Sequence, residues 1–217
     1  MLKKFKNNKL YYDKYLYKLG VLNSLAPLFR NKNFSFTRSV LDQIQNNFEE
    51  EGKLFYKLGL NGRTTNHADF NEAKILINEF QKNSNFTLRI ESFRCYVYSN
   101  DRAWILHLSQ RLTCDELWEP VYAELERNTI VSDIQRPYQY KITLGARTNS
   151  ELAGWAKNNK NKVWIGSRLL KYIEDGGYTQ NMYFYVRDER ILELMYIIAG
   201  DSIVRVDKIV YNKNIDK

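Results

Sequence analysis

The last forty residues constrain the fold more tightly than any other part of the chain. Met182 to Arg187 alternates with a period of two, Asp188 to Ala199 carries a helical period, Gly200 stops the helix, and Ile203 to Tyr211 returns to a strand pattern. Two strands joined by a helix of that length form a crossover unit, in which the strands run parallel and the helix covers one face of the sheet. Upstream, Phe86, Leu88 and Ile90 alternate with Thr87, Arg89 and Glu91, and Phe93, Cys95 and Val97 alternate with Arg94, Tyr96 and Tyr98. Strands that follow one another directly and strands separated by helices, in one chain, predict a mixed sheet with helices on one face. That is an α+β fold with ferredoxin-like βαβ units rather than a doubly wound parallel sheet. The strands are half polar, so the other face of the sheet is expected to be open.

Residues 9 to 82 read as helical. Leu10, Tyr11, Tyr15, Leu16 and Leu19 recur at three- and four-residue steps before Gly20. Val40, Leu41, Ile44 and Phe48 form a second stripe, with Ser35 or Thr37 as cap and Gly52 as stop, and a third helix follows from about Ala68. The expected organisation is therefore a helical N-terminal region over 1–84 and an α+β sheet domain over 85–217. Further helices are predicted near Asp101, from Asp115, over 149–159 and from Ser167 to the stop at Gly176-Gly177. Strands are predicted near Thr129 to Ser132 and Tyr138 to Leu144, with a short apolar run at Val163-Trp164-Ile165.

Tyr96-Val97-Tyr98-Ser99-Asn100-Asp101 is echoed by Tyr183-Phe184-Tyr185-Val186-Arg187-Asp188 at an offset of 87 residues. In both, a Tyr-apolar-Tyr strand end precedes an Asp placed to cap a helix, which raises an internal duplication as one reading and chance in a Tyr-rich chain as the other. Alternation puts Met182, Phe184 and Val186 under the helices, with Tyr183, Tyr185 and Arg187 opposite. Arg205 joins them if Val204, Val206 and Val210 face inward, and Arg94, Tyr96 and Tyr98 form the same set in the first copy. Rings that stack on bases beside guanidinium groups that hold phosphates are the chemistry of single-stranded nucleic-acid binding. The competing reading packs these tyrosines as an ordinary amphipathic layer.

Charge leans the same way. There are 33 basic and 25 acidic side chains, net +8, with six Lys among the first twenty residues and seven basic residues from Lys141 to Lys171 against Glu151 alone. Lys157, Lys160, Lys162, Arg168 and Lys171 of that span are expected to add to the attraction for phosphate. Asp115 to Glu126 holds five carboxylates and no base, which marks a face of opposite sign. An AT-rich coding bias accounts for much of the Lys and Asn content equally well.

Catalytic motifs are missing. There is no Gly-x-Ser-x-Gly elbow, no His-Glu-x-x-His helix and no dinucleotide glycine fingerprint, and the loop Gly59 to Asn66 has no Lys followed by Ser or Thr to cradle a phosphate. His67 falls in a loop without a partner nearby in sequence, and His107 lies between inward positions of the Trp104 helix and reads as core-flanking rather than as a base. Glu72-Ala73-Lys74 lies on a helix face, and Cys95 and Cys114 have neither disulfide nor zinc spacing. No catalytic residue, metal or cofactor is assigned. No run reaches the roughly 18 apolar residues of a membrane helix and the basic start lacks a secretory core, so a soluble, cytoplasmic protein is expected.

The runs Tyr138-Gln139-Tyr140-Lys141-Ile142-Thr143-Leu144-Gly145 and Tyr183-Phe184-Tyr185-Val186-Arg187-Asp188-Glu189 resemble uncharacterised proteins of large tailed phages of marine bacteria. The resemblance lies mainly in the C-terminal two thirds. It implies a phage origin, hence a host cytoplasm, and carries no activity. The expected function is non-catalytic binding of single-stranded DNA or RNA through the open face. The alternative is an assembly, virion or host-interaction protein that meets another protein through the same Tyr-rich surface.

Overall fold

The computed structural model describes residues 2–58, 61–122 and 125–212. The chain divides into two compact units, Met1–Asn7 with Lys14–Ala123 and Asn8–Asp13 with Glu124–Lys217. The division therefore falls near 123, not at 84.

Unit 1 opens with strands β1 (Lys3–Asn7) and β2 (Tyr17–Leu22), followed by helix α1 (Phe34–Glu51) and a hairpin, β3 (Phe55–Leu58) and β4 (Asn61–Thr64). Helix α2 (His67–Lys82), strands β5 (Phe86–Glu91) and β6 (Arg94–Ser99), helix α3 (Arg102–Arg111) and strand β7 (Cys114–Pro120) complete it. Its sheet runs β1-β7-β2-β6-β5, with only the β1–β7 pair parallel. Leu19, Val97 and Leu117 of the sheet pack with Ile44, Leu76, Phe80, Ile105 and Leu108 of the helices in one core.

The N-terminal region is thus not a helical layer. The helical spacing from Leu10 to Leu19 is a coincidence of a central strand: Leu19, Gly20 and Val21 are all buried, so the period of two is invisible in hydrophobicity. Tyr12 and Asp13 take φ of 52° and 54°, which stops any helix there. The segment from Asp115 is likewise strand β7, fixed between β1 and β2. Its acids find cations: Asp115 pairs with Arg94, Glu116 with Lys18, and Glu119 with Arg102. Helix α1 is capped by Asn33, which accepts from the Phe36 amide at 3.0 Å, while Thr37 donates to the Leu28 carbonyl instead of capping. Gly52, at φ 69°, ends it. The Asn61–Thr64 part of the expected loop is strand β4, and Gly59 and Leu60 lie outside the described residues, as does Glu124 of the acidic run.

Unit 2 follows its sequence pattern closely. It comprises β8 (Thr129–Ser132), β9 (Tyr140–Leu144), α4 (Glu151–Asn158), β10 (Val163–Trp164), α5 (Ser167–Glu174), β11 (Tyr183–Val186), α6 (Glu189–Ala199) and β12 (Ile203–Tyr211). The sheet order is β10-β11-β9-β12-β8, with only β8–β12 parallel. Ile142, Leu144, Phe184 and Val186 pack against Leu152 and Ala156 of α4, Leu169 and Ile173 of α5, and Met195 and Ala199 of α6.

The two units repeat one topology. Each central strand, β2 or β9, lies between two strands that run parallel to each other and are joined by a helix, β6-α3-β7 and β11-α6-β12. The registers coincide as well. Lys18, Leu19 and Gly20 face Tyr98, Val97 and Tyr96, and Lys141, Ile142 and Thr143 face Tyr185, Phe184 and Tyr183. On the other side Gly20 faces Glu116 and Thr143 faces Arg205, each next to a one-residue bulge, at Asp115 and at Val204. The bulge leaves Val204 exposed, and Val210 is exposed too, so Val206 alone of the three valines packs on the helical side. Phe93, expected inward, is exposed in the β5–β6 turn.

The repeated aspartates are helix caps: Asp101 accepts from the Trp104 amide at 2.9 Å and Asp188 from the Ile191 amide at 3.2 Å. Asp101→Ala and Asp188→Ala should each lower unfolding free energy by about 1 kcal/mol in urea titrations. Burial pushes the thiols of Cys95 and Cys114 up to about 12, with Glu72 and Asp115 adding to the effect at Cys114. At pH 8 only roughly one thiol in ten thousand is then thiolate. Ellman's reagent should leave the native protein unlabelled over minutes and titrate both thiols once it is unfolded.

Candidate functional site

Alternation in unit 2 separates the sheet into two chemistries. Ile142, Phe184 and Val206 point into the helical core, which leaves Lys141 and Thr143 of β9, Tyr183 and Tyr185 of β11, and Arg205 and Asp207 of β12 on the other face. One rung across this face runs Trp164, Tyr185, Lys141, Asp207, and the next runs Tyr183, Thr143, Arg205.

Tyr185 is the hub of the rings. Its centroid lies 5.6 Å from Tyr183 in an edge-on arrangement, 5.5 Å from Trp164 and 6.4 Å from Tyr138. Trp164 and Tyr183 are 48% and 43% exposed, so part of each ring is open to a ligand. Lys141 Nζ stands 4.0 Å above the Tyr183 ring, and the Arg136 guanidinium is 6.0 Å from that of Tyr185. Burial, with Tyr183 beside it, raises the Tyr185 pKa against the opposing pull of Arg136, so the phenol stays neutral at physiological pH. Burial also lowers the Lys141 pKa, and Lys9 and Arg205 add to this while Asp207 opposes it.

Three hollows share their walls along this face. Arg136, Pro137, Tyr138, Trp164, Tyr183 and Tyr185 enclose one of about 340 Å³. Arg136 and Tyr185 continue into a second of about 250 Å³ that also contains Lys9, Ser132 and Lys141. Trp164 and Tyr183 also line a third of about 320 Å³ that turns round the edge of the sheet, where Arg168 and Leu169 of α5 and Met182 form its other walls. The result is a groove with rings in the middle and cations at both ends.

The residues expected from sequence divide accordingly. Tyr183 and Tyr185 line the groove and Arg168 stands at its end, its guanidinium 5.6 Å from the Tyr172 ring. Arg205 shares the face but is committed to Asp13, at 2.6 Å, and to Asp207, also at 2.6 Å. Arg187 is exposed beyond the end of β11, 3.7 Å from Asp188. Lys157 on α4 pairs with Glu174 on α5, and Lys171 is also on α5, so both belong to the helical side of the sheet. Lys160 is exposed in the α4–β10 connection, and Lys162 bonds Asn159 at 2.9 Å. In unit 1, Tyr96 and Tyr98 are only 7% and 4% exposed, and Arg94 is held by the Tyr96 hydroxyl and by Asp115. The two tyrosines of the first copy are therefore closed off, while Phe5, on the same rung as Lys18, is exposed and stacked on Trp118 at 4.6 Å.

Lys141, Trp164, Tyr138, Arg136 and Lys9 were not singled out from sequence. Alternation about Ile142 and about Val163 was the signal for the first two. Lys9 is brought to the hollow by residues 8–13, whose Asn8 carbonyl bonds the Val131 amide at 3.0 Å, and only the tertiary fold places it there. Among the described residues no group of three His, Cys, Asp or Glu side chains is arranged to hold a metal ion, and no helix is long and apolar enough to cross a membrane.

Arg205 and Asp207 make a structural pair, because Asp207 is 1% exposed. Arg205→Ala strands that carboxylate and should cost about 3 kcal/mol, read as a lower midpoint in chemical denaturation. Arg136→Ala, at an exposed position, should leave the midpoint unchanged.

No family model matches the chain, and no curated protein and no solved structure matches it.

Proposed function

We propose that the protein binds single-stranded nucleic acid, without catalysis, along the groove of unit 2. The observation that carries this reading is the continuity of the three hollows: Trp164, Tyr183, Tyr185 and Tyr138 in the middle, Arg136, Lys141 and Lys9 at one end, Arg168 at the other. Bases in a duplex have their faces covered, so exposed rings on a sheet select unpaired strands. The cations alongside hold the backbone, and because every base has a π-face the recognition is tolerant of sequence. The site residues in this reading are Tyr183, Tyr185 and Arg168 from the sequence set, together with Trp164, Tyr138, Arg136, Lys141 and Lys9. Arg205 holds the sheet rather than the ligand. We take the split β-α-β crossovers as ferredoxin-like in kind, a scaffold whose helix-free face suits this use.

Fluorescence anisotropy with a labelled oligodeoxythymidylate tests the reading. Three phosphates neutralised by Lys9, Arg136 and Lys141 correspond to a slope of about −2 in log affinity against log salt. Tyr183→Ala and Tyr185→Ala should each weaken binding by about 1 to 3 kcal/mol, roughly 5- to 150-fold. Unchanged affinity in both variants would eliminate stacking. A protein partner on the same rings would release few counterions, so association nearly independent of salt would point to the assembly role instead.

A further inference from the structure

Both units place a lysine at the same point of the central strand. Lys18 faces Tyr98 and Lys141 faces Tyr185, and each ammonium stands over the other tyrosine of its pair, 4.1 Å from the Tyr96 ring and 4.0 Å from the Tyr183 ring. From there the two sites diverge. In unit 1 the Glu116 carboxylate meets Lys18 Nζ at 3.3 Å and accepts a bond from Trp118 Nε1. Burial pushes the Glu116 pKa up, but Trp118, Lys18 and Tyr96 outweigh it and hold the carboxyl below its ordinary range. Gly20 makes room: a Cβ there would stand 2.6 Å from Glu116 Cγ and 2.7 Å from Asp115 Oδ1. Unit 1 is built around an anion of its own.

Unit 2 has no carboxylate where unit 1 has Glu116 and Asp115, and its one acid opposite Lys141, Asp207, the register counterpart of Trp118, is held by Arg205 at 2.6 Å. The register counterpart of Glu116 is Arg205, that of Asp115 is Val204, and that of Gly20 is Thr143. Among the described residues no carboxylate lies within 4.0 Å of Lys141 Nζ. Lys9 and Arg136 share its hollow, with Ser132 and Asn8 as polar walls.

We infer that the Lys141 hollow seats a backbone phosphate of the bound strand, the ligand-borne counterpart of the Glu116 carboxylate, and that the self-filled face of unit 1 binds none. This rests on the strand-binding reading above. Lys9 and Arg205 face Lys141 from the 8–13 segment and β12, Asp207 opposes them, and Arg136 and Tyr185 close the hollow. An arriving phosphate meets an excess of positive charge already in place, and the strand stacked on Tyr183 and Tyr185 continues directly into it.

The test compares the full-length protein with its Lys141→Met, Lys141→Arg and Lys18→Met variants, titrated against an oligodeoxythymidylate and against its uncharged methylphosphonate analogue. Lys141→Met should weaken oligonucleotide binding about tenfold and reduce the salt slope by about one, Lys141→Arg should restore both, and the analogue should bind Lys141→Met and wild type alike. Lys18→Met should leave the slope unchanged, with circular dichroism confirming that each variant is folded. Wild-type affinity and slope in Lys141→Met, alongside lost binding in Tyr183→Ala, would overturn the phosphate seat and leave the stacking groove standing. Wild type binding neither strand would overturn the groove itself.

Discussion

A strand paired on both sides can send only every second side chain under the helices, and in unit 2 that rule decides everything else. Ile142, Leu144, Phe184 and Val186 are fully buried against α4, α5 and α6. Each buries on the order of 1.5 to 3 kcal/mol of apolar transfer energy, so a slip of one residue in β9 or β11 would forfeit several times that and cannot compete. The same register fixes Lys141, Tyr183 and Tyr185 on the opposite side. Their placement there is a consequence of the core, and no local preference of tyrosine or lysine is needed to explain it.

The duplicated topology shows how one scaffold can be given two electrostatic characters. Strand order, bulge position, capping aspartate and the lysine over a tyrosine are common to both units. The difference around the lysine lies at four positions on adjacent strands. Gly20 leaves unit 1 room for two acids, Asp115 and Glu116, which tie down Arg94 and Lys18, with Trp118 donating to Glu116; the counterparts in unit 2 are Thr143, Val204, Arg205 and Asp207, and that one acid is held by Arg205. The acidic run from Asp115, which in sequence looked like a separate face of the molecule, is in part the internal counter-charge of unit 1. Net charge of the whole chain conceals this, because the acids are spent where their own cations are.

The sequence was readable where period and punctuation agreed. From Thr129 onward the strands and helices fall where alternation, Asp caps and glycine stops place them, and the echo between Tyr96 and Tyr183 corresponds to one register in two sheets. It misled where a strand is central or charged. Around Leu19, Gly20 and Val21 both faces are buried, so the period of two vanishes, and in β7 the acids imitate a solvated helix although each meets a cation, Arg94 of β6, Lys18 of β2 or Arg102 of α3. The site was half legible for a related reason. Tyr183 and Tyr185 follow from alternation alone, whereas the fate of a cation depends on what stands beside it: Arg205 and Arg94 are consumed by carboxylates, and Lys157 pairs within the helical layer. Spacing along a chain carries no information about such partners when they come from residues as distant as Asp13.

The energetics of the groove follow from keeping Lys141 where it is. A half-buried ammonium beside Lys9 and Arg205, with its pKa held below the ordinary lysine range, works against the folded state, since protonation is then easier in the unfolded chain. The sign is definite: a lowered lysine pKa means that this contribution to stability improves as pH rises through the folded value toward that of the unfolded chain. The Tyr183 ring beneath the ammonium returns part of the cost through the attraction of its π-face. A binding surface needs such an imbalance, because a cation already satisfied by its own protein, as Lys18 is by Glu116, gains little from a phosphate that must first displace a carboxylate. Stability given up at Lys141 in the free protein is recovered as differential interaction when an anion arrives, and the two lysines, alike in backbone position and in the ring they cover, differ in that respect.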